Sequence, residues 1–106
     1  MQEVTEKNIQ ELLAQPKIVV LDFWAEWCGP CKQLGPIFEK VAGTLTSKAI
    51  FGKVNVDNEE QLAQKYEVRG IPCVIVLSKG EEVDRIVGAL SEADFRKKLE
   101  ALLARP

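Results

Sequence analysis

The chain has 106 residues, 46% hydrophobic and 28% charged, which suits one domain with a buried core and is too short for two. Its 14 basic and 16 acidic side chains leave a net charge of -2, so no basic field is offered to nucleic acid or an anionic membrane. The absence of histidine excludes a Ser-His or Cys-His nucleophile pair and any zinc site that needs imidazole. The longest apolar run, Cys73 to Leu77, is too short to cross a bilayer. The opening Met1-Gln2-Glu3-Val4-Thr5-Glu6-Lys7 has neither the basic nor the apolar region of a signal peptide, so a cytoplasmic protein is expected.

Thr5 can cap a first helix over residues 5–14, with Ile9, Leu12 and Leu13 at helical spacing and Pro16 beyond its end. Residues 18–24 are almost continuously apolar and β-branched, the pattern of a central strand covered on both faces, with Asp22 as its one charge. A long helix starts near the cysteines and runs to about Thr46. Leu34, Ile37, Phe38, Val41, Ala42 and Leu45 form its apolar stripe, and Pro36 lies inside it, where a kink is expected. Residues 50–56 read as a second buried strand, interrupted by Lys53. A short helix over 58–66 is then expected, capped by Asp57 or Asn58. Strands over 73–77 and 83–87 flank a Gly-containing turn and form an antiparallel hairpin. Ser91 and Asp94 stand at capping-box spacing before a last helix that buries Phe95, Leu99, Leu102 and Leu103, with Leu90 placed to staple onto Phe95. A βαβ unit followed by a helix, a hairpin and a helix requires a mixed sheet with helices on both faces, and all 106 residues belong to one α/β domain.

Three cysteines are too few for a disulfide framework. Two of them form Cys28-Gly29-Pro30-Cys31. Half of a structural zinc site is one reading, but only Cys73 remains as a further ligand where four are wanted. Two plain core cysteines fit poorly beside Trp27, Gly29 and Pro30, which mark an exposed turn. A redox dithiol fits best. The motif lies where a strand's C-terminal end meets a helix N-terminus. There, unpaired N–H groups and the helix dipole stabilise a thiolate. Residues at i and i+3 are neighbours, so the two sulfurs can meet. Cys31 continues the buried stripe through Leu34. Cys28 lies off it, nearest the dipole, and is expected to attack while the shielded Cys31 resolves. Asp22, in a buried strand, is expected to have a raised pKa and to exchange a proton with Cys31. The competing view makes it a partly exposed strand end or a structural partner of Lys53. Lys53 itself fits equally a partner of Asp22 or a solvent-facing lysine.

At Phe23-Trp24-Ala25-Glu26-Trp27-Cys28-Gly29-Pro30-Cys31-Lys32 the chain resembles the thioredoxin family. The resemblance continues through Lys53-Val54-Asn55-Val56-Asp57, Arg69-Gly70-Ile71-Pro72 and Val87-Gly88-Ala89-Leu90, and so covers essentially the whole chain. It implies a thioredoxin fold, a central mixed sheet of four to five strands flanked by four helices. It implies that Cys28 is the nucleophile, Cys31 the resolving thiol, Asp22 the buried carboxyl with Lys53 near it, and Pro72 a cis proline facing the disulfide. The backbone around Ile71 would pair with a substrate strand. Trp27, Ile71, Pro72, Gly88 and Ala89, with Gly29 and Pro30 of the motif, would form the docking surface. The activity implied is reduction of disulfides in diverse client proteins by a monomer with no bound cofactor and no metal. A thioredoxin reductase drawing on NADPH or ferredoxin would recycle it. Departures from the family pattern are Cys73, where threonine is usual, and a first strand reduced to Glu3-Val4. Cys73 reads as a small buried strand residue; the alternative is a third thiol that forms another disulfide or ligates a metal. Other roles on the same fold are a docking subunit indifferent to redox state, a metal or cluster carrier, and an exported oxidase or isomerase.

Overall fold

In the computed structural model, which describes residues 1–105, the chain runs β1 (Gln2–Glu3), α1 (Ile9–Leu13), β2 (Ile18–Trp24), α2 (Gly29–Gly43), β3 (Ala49–Asn55), α3 (Glu60–Lys65), β4 (Cys73–Ser78), β5 (Glu81–Val87) and α4 (Glu92–Leu103). The strands form one sheet in the order β1-β3-β2-β4-β5. The most apolar strands, β2 and β4, lie inside it, where both faces are covered. β2 runs parallel to β3, from Ile18 opposite Ala49 to Trp24 opposite Asn55, and antiparallel to β4. This is the mixed sheet that a crossover followed by a hairpin requires.

Strand alternation divides the core in two. Val20 of β2 faces α2 and α4 and packs with Leu34, Phe38, Val74, Phe95 and Leu99. The Phe38 ring meets Phe51 at 5.8 Å and Phe95 at 6.0 Å between centroids, within the range of favourable aromatic pairs. Val19, Leu21 and Phe23 point the other way, toward Ile9, Leu12 and Leu62 of α1 and α3. The α2 stripe is buried as its spacing predicts, and the helix runs through Pro36 as one element. Ser91 accepts a hydrogen bond from the Asp94 N–H at 3.2 Å, so α4 starts where its capping spacing places it. Leu90 packs against the same core cluster as Phe95.

Four local expectations are corrected. α1 is regular only over Ile9–Leu13. Thr5 still caps the turn that leads into it: its Oγ1 accepts from the Lys7 N–H, Asn8 Oδ1 accepts from the Thr5 N–H, and the Thr5 carbonyl accepts from the Asn8 and Ile9 N–H groups. α2 ends at Gly43, with Thr44 as C-cap, short of Thr46. α3 starts at Glu60 with neither Asp57 nor Asn58 as cap. Asp57 instead accepts a hydrogen bond from the Trp27 indole at 2.9 Å. The hairpin turn narrows to Lys79-Gly80, whose φ values of 54° and 81° give the primed geometry that matches strand twist. β5 therefore begins earlier than expected. Val83 is left as a bulge, because the register passes from Val76 opposite Asp84 to Leu77 opposite Glu82.

β1 is short, as the sequence suggests, and pairs parallel with β3 through Gln2 and Glu3, extended by the Val4 N–H to Lys53 carbonyl bond at 2.8 Å. A Cβ on Gly52 would come within 2.5 Å of Val4 Cγ2, so glycine is what lets Val4 close over the strand. Among the described residues no helix is long and apolar enough to cross a membrane.

Candidate active site

β2 delivers the chain to one edge of the sheet, and a short turn through Ala25, Glu26 and Trp27 leads to Cys28, the N-cap of α2. The Cys28 carbonyl accepts from the Lys32 N–H at 3.2 Å, and its Sγ accepts from the Cys31 N–H at 3.2 Å. The sulfur thus takes the place of a capping oxygen on one of the orphan donors of the first turn. Pro30, in that first turn, removes a donor that would have no helical acceptor. Cys28 and Cys31 are joined as a disulfide, with Cα atoms 5.2 Å apart. Together with Ala25 they form a small cluster of their own, flanked by Trp24, Val56 and Ile71.

The two cysteines do not differ by burial as the helical stripe suggests. Cys28 is 5% and Cys31 3% exposed. They differ in their bonding. Cys28 Sγ faces the helix donor on one side and lies 3.7 Å from the Ile71 carbonyl on the other. Ile71 precedes a cis peptide bond to Pro72 and stands outside β4, so the sheet does not use its backbone. The Pro72 carbonyl accepts from the Gly88 N–H at 2.8 Å, and Gly88 has a φ of 93°, a conformation that favours glycine. The tertiary fold therefore gathers Cys28, Gly29, Pro30, Ile71, Pro72, Gly88 and Ala89 at one end of the sheet.

Trp27 is 71% exposed, and its indole is anchored to Asp57, which in turn accepts no helix cap bond. Val87 is 60% exposed and lies against Gly70, where a Cβ would meet it at 3.7 Å. The sequence marks neither Asp57 nor Val87 as a site residue. Asp57 carries the signal of a cap, which hides its bond to a tryptophan remote in sequence. Val87 reads in the sequence only as the last residue of a strand, and its exposure is set by the tertiary fold. A surface hollow of about 480 Å³ is lined by Met1, Gln2 and residues of α2 and β3, and by none of these groups. The site is a surface rather than a pocket.

Asp22 is 1% exposed, and neither carboxylate oxygen has a hydrogen-bond partner in the protein. Burial pushes its pKa up to about 6, Lys53 opposing and Glu39 reinforcing the rise. The partly exposed alternative is excluded. Lys53 is the register partner of Asp22 across β2 and β3. It neither pairs with that carboxylate nor turns to solvent. Its Nζ lies 3.6 Å from Glu39 Oε2 and 5.0 Å from the centre of the Trp24 ring. Glu39 is a third residue that the sequence did not mark, because nothing in a helical stripe says which neighbour a cross-strand lysine will choose. Cys73 is buried in the other half of the core, beside Phe23 and Ile75. Burial pushes its thiol pKa up, with the Arg85 guanidinium pulling it back. That packing separates it from the Cys28 and Cys31 cluster.

A helix-capping cysteine that forms a disulfide with its i+3 neighbour, and whose sulfur lies 3.7 Å from the carbonyl that precedes a cis proline, is equipped, once reduced, for thiol–disulfide exchange with another protein. The chain is a thiol–disulfide oxidoreductase of the protein-disulfide reductase kind. The thioredoxin family model matches residues 1–101. Thioredoxin 2 of Chlorobaculum tepidum is 44% identical over 99 residues, 92% of this chain and 91% of that protein. The thioredoxin of Malassezia sympodialis is 46% identical over 83 residues, 77% of this chain and 79% of that protein. The crystal structure of Malassezia sympodialis thioredoxin superposes with a TM-score of 0.85 at 37% identity, covering 97% of this chain and 87% of that one. The chain belongs to the thioredoxin family, and its fold is the thioredoxin fold.

Proposed function

We propose that the chain reduces disulfides in diverse client proteins, with Cys28 as nucleophile and Cys31 as resolving thiol. The observation that carries this is the position of Cys28 Sγ, which caps α2 and faces Ile71. In the reduced protein a Cys28 thiolate gains from the Cys31 N–H and from the helix dipole. It attacks one client sulfur and displaces the other as a thiolate, which takes a proton from water. Cys31 then loses its proton and attacks the Cys28 sulfur, and the second client sulfur leaves. The client gains two electrons and two protons, and the protein is left with the Cys28–Cys31 disulfide.

Asp22 is the proton acceptor for Cys31 in this scheme, poised near neutrality by its burial. Lys53 acts on it through charge. Trp27, Gly29, Pro30, Ile71, Pro72, Gly88 and Ala89 form the docking surface, and the free backbone of Ile71 pairs with an extended client segment. A thioredoxin reductase returns the electrons. A monomer in the cytoplasm, where thiols are kept reduced, suits this chemistry.

The test is dithiothreitol-driven reduction of insulin disulfides. Wild type is active, Cys28→Ser is inactive, and Cys31→Ser accumulates a mixed disulfide through Cys28. Activity retained in Cys28→Ser would overturn the assignment. Oxidation of NADPH in the presence of a thioredoxin reductase and the oxidised protein tests the recycling partner.

A further inference from the structure

Asp22 and Lys53 lie opposite each other on adjacent strands, with side chains on the face covered by α2. Adjacent strands are about 4.8 Å apart. A lysine with its flexible stem can span that gap, and a buried carboxylate attracts it strongly. Yet both Asp22 oxygens are unpartnered, and the ammonium lies elsewhere. Three features of the surroundings hold it there. The Trp24 ring lies under the cation at 5.0 Å. Gly35 of α2 carries no side chain, and a Cβ there would already touch Lys53 Nζ at 3.5 Å. One helical turn further on, Glu39 places its carboxylate 3.6 Å from the same nitrogen.

We propose that Glu39 is a positioning residue for disulfide exchange: it diverts the Lys53 ammonium from Asp22 and leaves that buried carboxyl free to exchange a proton with Cys31. If Lys53 paired with Asp22 directly, the carboxylate would be held ionised and would make a poor base at neutral pH. The groups that face Asp22 are few. β3 contributes Lys53, α2 contributes Glu39, and β4 contributes Val74 on the same face, with the Cys73 thiol on the opposite one. α4 presents Phe95 and Leu99 to this half of the core. Glu39 is thus the one carboxylate placed to compete with Asp22 for Lys53 among the described residues.

This inference rests on Asp22 as the proton acceptor, and its test separates the two. The Asp22 carboxyl is titrated by carbon NMR in the oxidised protein for wild type, Glu39→Gln, Glu39→Asp, Lys53→Met and the Glu39→Gln/Lys53→Met double variant. Removing the Glu39 charge both withdraws a like charge and frees Lys53 to approach, so Glu39→Gln lowers the midpoint by about half a pH unit or more. Glu39→Asp, which keeps the charge, stays closer to wild type. Lys53→Met raises the midpoint, and in that background Glu39→Gln moves it much less. The pH profile of insulin reduction follows the titration. An unchanged midpoint in Glu39→Gln, or a shift of equal size with and without Lys53, would overturn the proposal. Failure of Asp22 itself is read separately, as an Asp22→Asn variant whose exchange keeps the wild-type pH profile; the catalytic consequence assigned to Glu39 falls with it.

Discussion

Asp22→Asn should make the oxidised protein more stable, by an amount that grows with pH. In the native state burial pushes the Asp22 pKa up to about 6, from the 3.8 of an unburied aspartate, which stands for the unfolded chain. The native state therefore binds more protons than the unfolded state between these two values, and stability falls as pH rises through them. A difference of one pH unit is about 1.4 kcal/mol. Ionised Asp22 thus costs the native state about 3 kcal/mol at pH 7 and about half as much at pH 5. An asparagine has nearly the same shape and lacks the charge. Like the protonated acid, it leaves a neutral polar group in an unpartnered site, so the two should be similar in stability below about pH 4. The assay is urea unfolding of both proteins in the disulfide form from pH 3.5 to 8. The difference should rise from near zero to about 3 kcal/mol and level off above pH 7, where both states of the wild type are ionised. A difference that stays constant between pH 4 and 7 would refute the reasoning, since it would mean that Asp22 titrates alike in both states.

Gly52→Ala should destabilise the fold by about 1–3 kcal/mol, because its Cβ would meet Val4 Cγ2 at 2.5 Å where β1 closes on β3. Urea midpoints check this, and a change within about 0.5 kcal/mol, the range of ordinary surface substitutions, would show that β1 yields freely. Cys73 is 1% exposed and its thiol pKa is raised, so it should alkylate slowly in the native protein and fast in urea. Mass spectrometry of iodoacetamide-treated oxidised protein reads this directly. Fast native labelling would contradict its place in the core.

Much of the fold is legible because burial leaves a periodic trace. The unbroken apolar run of residues 18–24 marks a strand covered on both faces, and the Leu34, Phe38, Val41 stripe marks the buried side of α2. Ser91 marks the start of α4 because a cap is made within four residues. The start of α3 is misplaced because a polar side chain had a second partner to choose. Asp57 binds the Trp27 indole rather than cap α3. Such choices are decided by small differences in energy between local and distant partners, and a sequence shows only the local ones.

The sequence by itself determined the redox chemistry. Cys28 and Cys31 are three residues apart at a strand-to-helix junction, and the spacing, the capping position and the dipole are all properties of one short segment. It also marked Asp22 as a charge inside an apolar strand, and the packing of the core then decided that the carboxyl is buried rather than a partly exposed strand end. The tertiary structure decided what surrounds that chemistry. Sheet order brings the Ile71–Pro72 bond and Gly88 to the Cys28 sulfur, and the packing of α2 over β3 offers Lys53 the carboxylate of Glu39. Contacts between segments far apart in the chain depend on which strands become neighbours and how a helix is rotated over them. Those are set by the packing of the core as a whole, which no local stretch of residues records.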